Sequence, residues 1–250
     1  MSIVRKLAFG LATVTFVTLG VSTLVSTANA RRRHDAETIE RAGPIKAGEK
    51  SAREPIILLH GWAASRKDMA TMRGGFAQAG YPTYVGAFGG EDNIANARAI
   101  ADIVDVAKRE TKAEKVHLVG HSMAGLSMRY YIKRLGGAAS VRSYVAFGTP
   151  QYGFSVACIL AEANGGQMCP SSAFLTDLNA GDDTPGDVAY FAYRSTKDTP
   201  GITRLDGGAC FVELPDVSHF DEPKSPAFLQ SILLAVGGTC PGTYTELAAN

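Results

Sequence analysis

Ser122, Asp198 and His219 are of the three residue types that together turn a serine hydroxyl into a nucleophile. Alone, such a hydroxyl is weak at neutral pH. It needs an imidazole to take its proton, a carboxylate to orient that imidazole, and N–H donors for the oxyanion that forms when it adds to a carbonyl. Ser122 stands in the run KVHLVGHSMAGLSMRYYIKRLGG, residues 115–137. Val116 to Val119 is a short apolar run of strand type, and Leu126, Tyr130 and Leu135 recur at helical spacing, so a strand meets a helix with almost nothing between them. Gly120 before the serine, and Ala124 and Gly125 after it, let the chain turn sharply and hold the hydroxyl out of the bend.

Each role has rivals. Serine is also a common helix cap, so Ser122 has a purely structural alternative. Of the five histidines, His34 lies near the N-terminus, His117 falls on a buried strand, and His121 adjoins the serine but leaves the turn in another direction. His60 sits beside Gly61, where packing and hydrogen bonding are expected of it. His219 follows the last expected strand and has the freedom to reach Ser122, and an imidazole moves protons at neutral pH. For the carboxylate, Asp198 directly follows a strand. Asp206 and Asp216 compete with it, Asp206 in a Leu-Asp-Gly-Gly turn and Asp216 very close to His219 along the chain. Asp182, Asp183 and Asp187 read as loop and strand-start residues.

Elements that place these residues alternate along the chain. Strands are expected from Pro55 to Leu59, Tyr81 to Val85, Val116 to Val119, Val141 to Phe147, Val188 to Arg194 and Cys210 to Leu214. Helices are expected over residues 66–79, 93–110, the segment after Ser122, and 225–236. That alternation predicts an α/β fold with a compact, mostly parallel central sheet and helices on both faces. Ligands of such sheets gather at the carboxyl ends of the strands, where His60, Ser122 and Gly148 fall. Residues 151–187 break the alternation with a glycine- and proline-marked insertion carrying Phe154, Ile159, Met168, Phe174 and Leu178. It is either a partial lid over the site or a packed excursion.

Composition bounds the rest. The chain has 250 residues, 46% hydrophobic and 20% charged, which suits a single domain from 55 to 250. A net charge of +1 gives no reason to expect nucleic acid. Residues 1–30 read as a signal peptide: Arg5 and Lys6, an apolar run, then Ala28-Asn29-Ala30 as a cleavage site. A membrane anchor is the alternative for that run. Cleavage near Ala30 predicts a secreted or periplasmic protein. Residues 31–54, opening with three arginines, read as a polar leader. In an oxidising compartment the four cysteines pair. Three pairings are formally possible. Cys158 and Cys169 lie close in one loop-like stretch, and Cys210 and Cys240 bracket the last strand and last helix, so 158 with 169 and 210 with 240 are expected. Neither Cys-x-x-Cys spacing nor a histidine cluster suggests zinc, and no cofactor is expected.

ILLHGWAAS at 57–65, VHLVGHSMAGLSMRYYIKRLGG at 116–137, YRSTKD at 193–198, and ITRLDGG with LPDVSHF near 202–220 resemble the small secreted bacterial triacylglycerol lipases and esterases of the α/β-hydrolase superfamily. The order serine, acid, histidine is the one those enzymes use. The resemblance implies Ser122 as nucleophile, Asp198 as acid, His219 as base, and the backbone N–H groups of Trp62 and Met123 as the oxyanion hole. The pattern departs at Ala124, where G-x-S-x-G has its second glycine. It implies a monomeric hydrolase of acyl esters, cofactor-free, in transient contact with a lipid interface. A polyester hydrolase or acyltransferase on the same residues is an alternative, as is an inert binding module with this fold.

Overall fold

A single eight-stranded sheet carries every part of the site. The structure, a computed structural model, describes residues 39–46, 48–198 and 201–246; the expected signal peptide and the arginines after it lie outside these. The strands are β1 Ile39–Ala42, β2 Ile56–Leu59, β3 Thr83–Gly86, β4 Val116–His121, β5 Val141–Phe147, β6 Ala189–Ser195, β7 Cys210–Leu214 and β8 Thr243–Tyr244, in spatial order β1-β3-β2-β4-β5-β6-β7-β8. β2 to β7 run parallel, and the outermost pairs, β1 with β3 and β7 with β8, are antiparallel.

Alternation along the strands splits the core in two. Ile57, Leu59, Leu118, Tyr144 and Tyr190 face α2 (Asn93–Thr111) and α3 (Met123–Arg134). Ile56, Leu58, Val119, Val145 and Phe147 face the other way, toward α1 (Ala70–Gln78) and α5 (Pro226–Val236). Both faces are therefore dry, which explains why β2 and β4 read as continuous apolar runs. No helix among the described residues is long and apolar enough to cross a membrane.

Two strands went unread in the sequence. β1 lies inside the segment expected to be a polar leader and is an edge strand of the sheet, so the folded unit begins before residue 55. Only Ile39 of its four residues is fully buried. Its hold comes from backbone pairing with β3 and from Arg41, whose guanidinium meets Glu110 at 2.9 Å through two nitrogens. β8 is two residues long and both are exposed. The Cys210–Cys240 disulfide brings the chain back beside β7 just before it.

The insertion at 151–187 is packed. Its short turns and α4 (Ala173–Leu178, capped by Ser172) enclose Ala157, Met168, Phe174, Leu175 and Leu178 around Met123 and Leu126 of α3. Arg129 of α3, fully buried, donates to Gln151 and Asn179 and pairs with Asp183, while the Cys158–Cys169 disulfide closes the loop at its turn. Such a crosslink contributes about 2 to 4 kcal/mol, largely by restricting the unfolded chain. Of the apolar residues this segment carries, Ile159 stands 85% exposed.

Candidate active site

Ser122 occupies the bend between β4 and α3 with φ 55° and ψ −129°, a left-handed conformation costing about 1 to 3 kcal/mol for a residue with a Cβ. Three hydrogen bonds hold it there. Its N–H donates to the Phe147 carbonyl at 2.8 Å, and its carbonyl accepts from the Thr149 hydroxyl at 2.7 Å and the Gly125 N–H at 3.1 Å. Ala124, the departure from the serine-hydrolase pattern, is fully buried, and its methyl faces Gly120. A Cβ built on Gly120 would stand 3.2 Å from it and 2.6 Å from Met128 Sδ. Helix and strand pack tightly at Gly120, and the extra methyl fits because that residue has none.

The candidate base and acid come from the loops after β7 and β6. His219 Nε2 stands 3.0 Å from Ser122 Oγ, and His219 Nδ1 stands 3.0 Å from Asp198 Oδ1. The Nδ1 contact is close without being aligned as a hydrogen bond; such contacts often tighten only around substrate. Ser195, the last residue of β6, ties the two supporting loops together: its hydroxyl accepts from the N–H of Val217 at 2.9 Å and of Lys197 at 3.3 Å. Asp198 and His219 are thereby fixed to adjacent strand ends.

The competing residues are engaged elsewhere. Asp206 accepts from the Tyr152 hydroxyl, Asp216 is exposed and pairs with Lys197, Asp187 pairs with Lys115, and Asp183 meets Arg129 and Lys133. His117 is buried against the Ser143 hydroxyl, and burial holds its pKa down at about 4. His60 is buried on Phe88, with Nδ1 3.0 Å from the Gly61 carbonyl.

The two residues expected to supply oxyanion amides flank the serine. Met123 opens α3, where the first N–H groups have no intrahelical acceptor, and its side chain is sunk in the insertion core. Trp62 follows Gly61, whose α-carbon packs so near the serine that a Cβ there would lie 2.6 Å from Ser122 Cβ. The Trp62 indole is 41% exposed and donates to the Asn164 carbonyl at 3.1 Å, joining the loop after β2 to the insertion.

Residues 55–191, more than half of the chain, match the palmitoyl protein thioesterase family. The chain belongs to that family. The match runs from the residue before β2 into β6 and so includes the bend at Ser122, while Asp198 and His219 lie beyond it. Among solved structures, a Bacillus licheniformis lipase in its propeptide form is similar with a TM-score of 0.67 at 15% identity, over 85% of this chain and 55% of that one. Aspergillus fumigatus lipase B gives 0.67 at 15%, over 84% and 58%. This chain thus spans little more than half the length of either. An alpha/beta hydrolase from the metagenome of the Mar Chica lagoon sediments gives 0.54 at 16%, over 79% and 92%. The chain of this thioesterase-family protein has the α/β-hydrolase fold.

Sequence reasoning missed two residues of the site. Glu222, in the short turn His219–Lys224, is completely buried, and its Oε1 accepts from the Ser195 N–H at 3.0 Å. Burial, and then the neighbouring Asp198 charge, push its pKa up to about 9. His121 was expected to point away. Its ring instead packs 4.5 Å from the His219 ring with Nε2 3.5 Å from Glu222 Oε2, and burial, then the nearby His219, holds its pKa well below the usual imidazole range. Nothing in the polar run DVSHFDEPK marks Glu222 as buried. Strand alternation could have sent His121 to the face opposite Gly120. Among the described residues, His121, His219 and Glu222 also bring ligand-type atoms within 4.8 Å of one another. The His219 nitrogens, however, already face Ser122 and Asp198.

Proposed function

We propose that this chain is a secreted serine hydrolase of carboxylic acyl esters acting through an acyl-enzyme on Ser122. The observation that carries this reading is the pair of 3.0 Å contacts that set His219 between Ser122 Oγ and Asp198 Oδ1. In this mechanism Ser122 Oγ attacks the acyl carbonyl as His219 Nε2 takes its proton. Asp198 holds the ring and stabilises the imidazolium. The amides of Met123 and Trp62 receive the oxyanion. His219 then protonates the leaving group, and water, deprotonated by the same ring, releases the acid.

An apolar acyl substrate is supported by what the loops at the strand ends leave outside. Trp62, Val156, Ile159, Ile202 and Phe220 follow β2, β5, β6 and β7 and are all exposed, Phe220 by 75%. Large apolar side chains on the loops at one end of a sheet offer a surface for an acyl chain or the lipid interface that presents it, where they gather into one patch. The insertion forms a fixed roof in this reading, since a buried arginine and a disulfide anchor it. Family membership favours a second substrate, an acyl thioester, on the same residues. Both disulfides fit the secretion proposed here.

Fluorophosphonate labelling followed by peptide mapping tests the nucleophile: the adduct is expected on Ser122, and an unlabelled Ser122 would leave a binding module. Matched oxyesters and thioesters from short to long acyl chains, assayed below and above their solubility limits, separate the two substrates and report any gain at an interface. N-terminal sequencing of the exported protein tests cleavage after Ala30.

A further inference from the structure

Behind His219 lies more buried acid than a serine–histidine–aspartate relay requires. The Asp198 and Glu222 side chains are both wholly inaccessible, on loops after β6 and β7, and converge on two neighbouring imidazoles, Asp198 Oδ1 at 3.0 Å from His219 Nδ1 and Glu222 Oε2 at 3.5 Å from His121 Nε2. Two buried carboxyls crowded round one pair of rings resist both carrying charge. Their donors are few. Glu222 Oε1 has the Ser195 N–H, while Glu222 Oε2 and both Asp198 oxygens have no donor in hydrogen-bond geometry. The residue after β5 permits the crowding: Gly148 passes so close that a Cβ there would collide with Glu222 Oε2 and stand 3.0 Å from His219 Nδ1.

We propose that Glu222 is a positioning residue, the proton-bearing half of a carboxyl pair whose Oε2–H donates to the Asp198 carboxylate and holds it against His219 Nδ1. A single proton then satisfies two otherwise unpartnered oxygens. It also leaves one negative charge beside the imidazole, on the carboxylate that His219 Nδ1 faces. The other titratable groups around Glu222 are His219 on its own turn and His121 from β4, with His60 acting on His121 from the loop after β2. His121 is kept neutral by burial and by His219, so it does not neutralise Glu222 in the proton's place. The raised pKa of Glu222 agrees with this placement. The inference rests on Ser122 hydrolysis for its kinetic consequence only.

Glu222→Gln and Glu222→Leu, made in the full chain, test it. The glutamine amide can still donate to Asp198 and accept from Ser195; leucine can do neither. At neutral pH, infrared spectra are expected to show a protonated-carboxyl carbonyl band in the wild type that is absent from the glutamine variant and titrates away near pH 9. With a short nitrophenyl ester, the glutamine variant is expected to keep near-wild-type kcat and to lose the alkaline limb of the pH profile. The leucine variant should drop in kcat on the order of 100-fold with KM little changed, the cost of an ångström-scale misplacement. The glutamine variant should also gain stability over the wild type as pH rises from 5 to 9, because only the wild-type fold must keep a proton that its unfolded chain has released. Absence of the band at neutral pH, or equal kcat losses in both variants with an unchanged profile, would overturn the proposal. If the leucine variant does not fold, the band and profile of the glutamine variant decide. The band is read without substrate, so it tests the carboxyl pair whether or not Ser122 proves to be the nucleophile.

Discussion

The serine side of the site and its acid–base side are built on opposite principles. Around Ser122 a strained backbone is held by a complete set of hydrogen bonds from Phe147, Thr149 and Gly125, and no charged group takes part. Around His219 the crowding is of ionisable groups instead, two buried carboxyls and a second buried imidazole. The first region stores its cost as geometry, the second as electrostatics. Substitutions on the serine side should therefore act on position, and those on the acid–base side should change the response to pH.

Ser122→Ala is expected to lower kcat on nitrophenyl esters by about a million-fold and to abolish fluorophosphonate labelling. A residual rate well above that would break the reading of the serine side. Asp198→Asn should cost about ten-thousand-fold in kcat while leaving the labelled fold intact by circular dichroism, because the imidazole loses its orienting charge. Arg129→Met removes the buried cation that joins α3 to the insertion and leaves Asp183 with Lys133 and the Tyr152 hydroxyl. A loss of about 3 to 5 kcal/mol in urea unfolding is expected.

Acid should destabilise the fold through its histidines. His117 and His121 are neutral in the folded protein because burial lowers both pKa values, whereas the unfolded chain binds protons below about 6.5. Their contribution is full above that pH and lost as pH falls. For His117 the loss approaches the order of 3 kcal/mol near its folded value of about 4. Urea midpoints measured from pH 7.5 down to 4.5 would show the slope, and His117→Gln should flatten it. The smallest effect is expected for Ala124→Gly, about 2 kcal/mol of stability from a lost methyl and poorer helix propensity, with kcat unchanged. A large change in kcat there would mean that the methyl shapes the elbow.

The serine side was legible because its signals are local. A β-branched run, a bend with small residues and a helical period all fall within the segment 115–137, and the bounds of β5 and β7 were read to the residue. The acid–base side was legible only in part. Asp198 and His219 follow strand ends, which one can read, but the carboxyl pair arises because the β6 and β7 loops lie side by side, and no spacing encodes that. Glu222 sits in a stretch of polar residues whose neighbours Asp221 and Lys224 are exposed, so its burial has no periodic trace. His121 shows a related limit. Strand alternation gives the face a residue takes, but what occupies that face, here the His219 ring, is set by a segment almost a hundred residues away. β1 escaped notice because pairing, with one buried side chain, suffices to hold it.

That last strand bears on how the protein can be handled. β1 covers the outer edge of β3, whose backbone would otherwise present unpaired N–H and C=O groups along an apolar strand buried at every residue. An open edge of this kind recruits other chains. A polypeptide begun at residue 55, where the apolar runs start, would keep the serine, the histidine and both disulfides, yet would be expected to self-associate through β3.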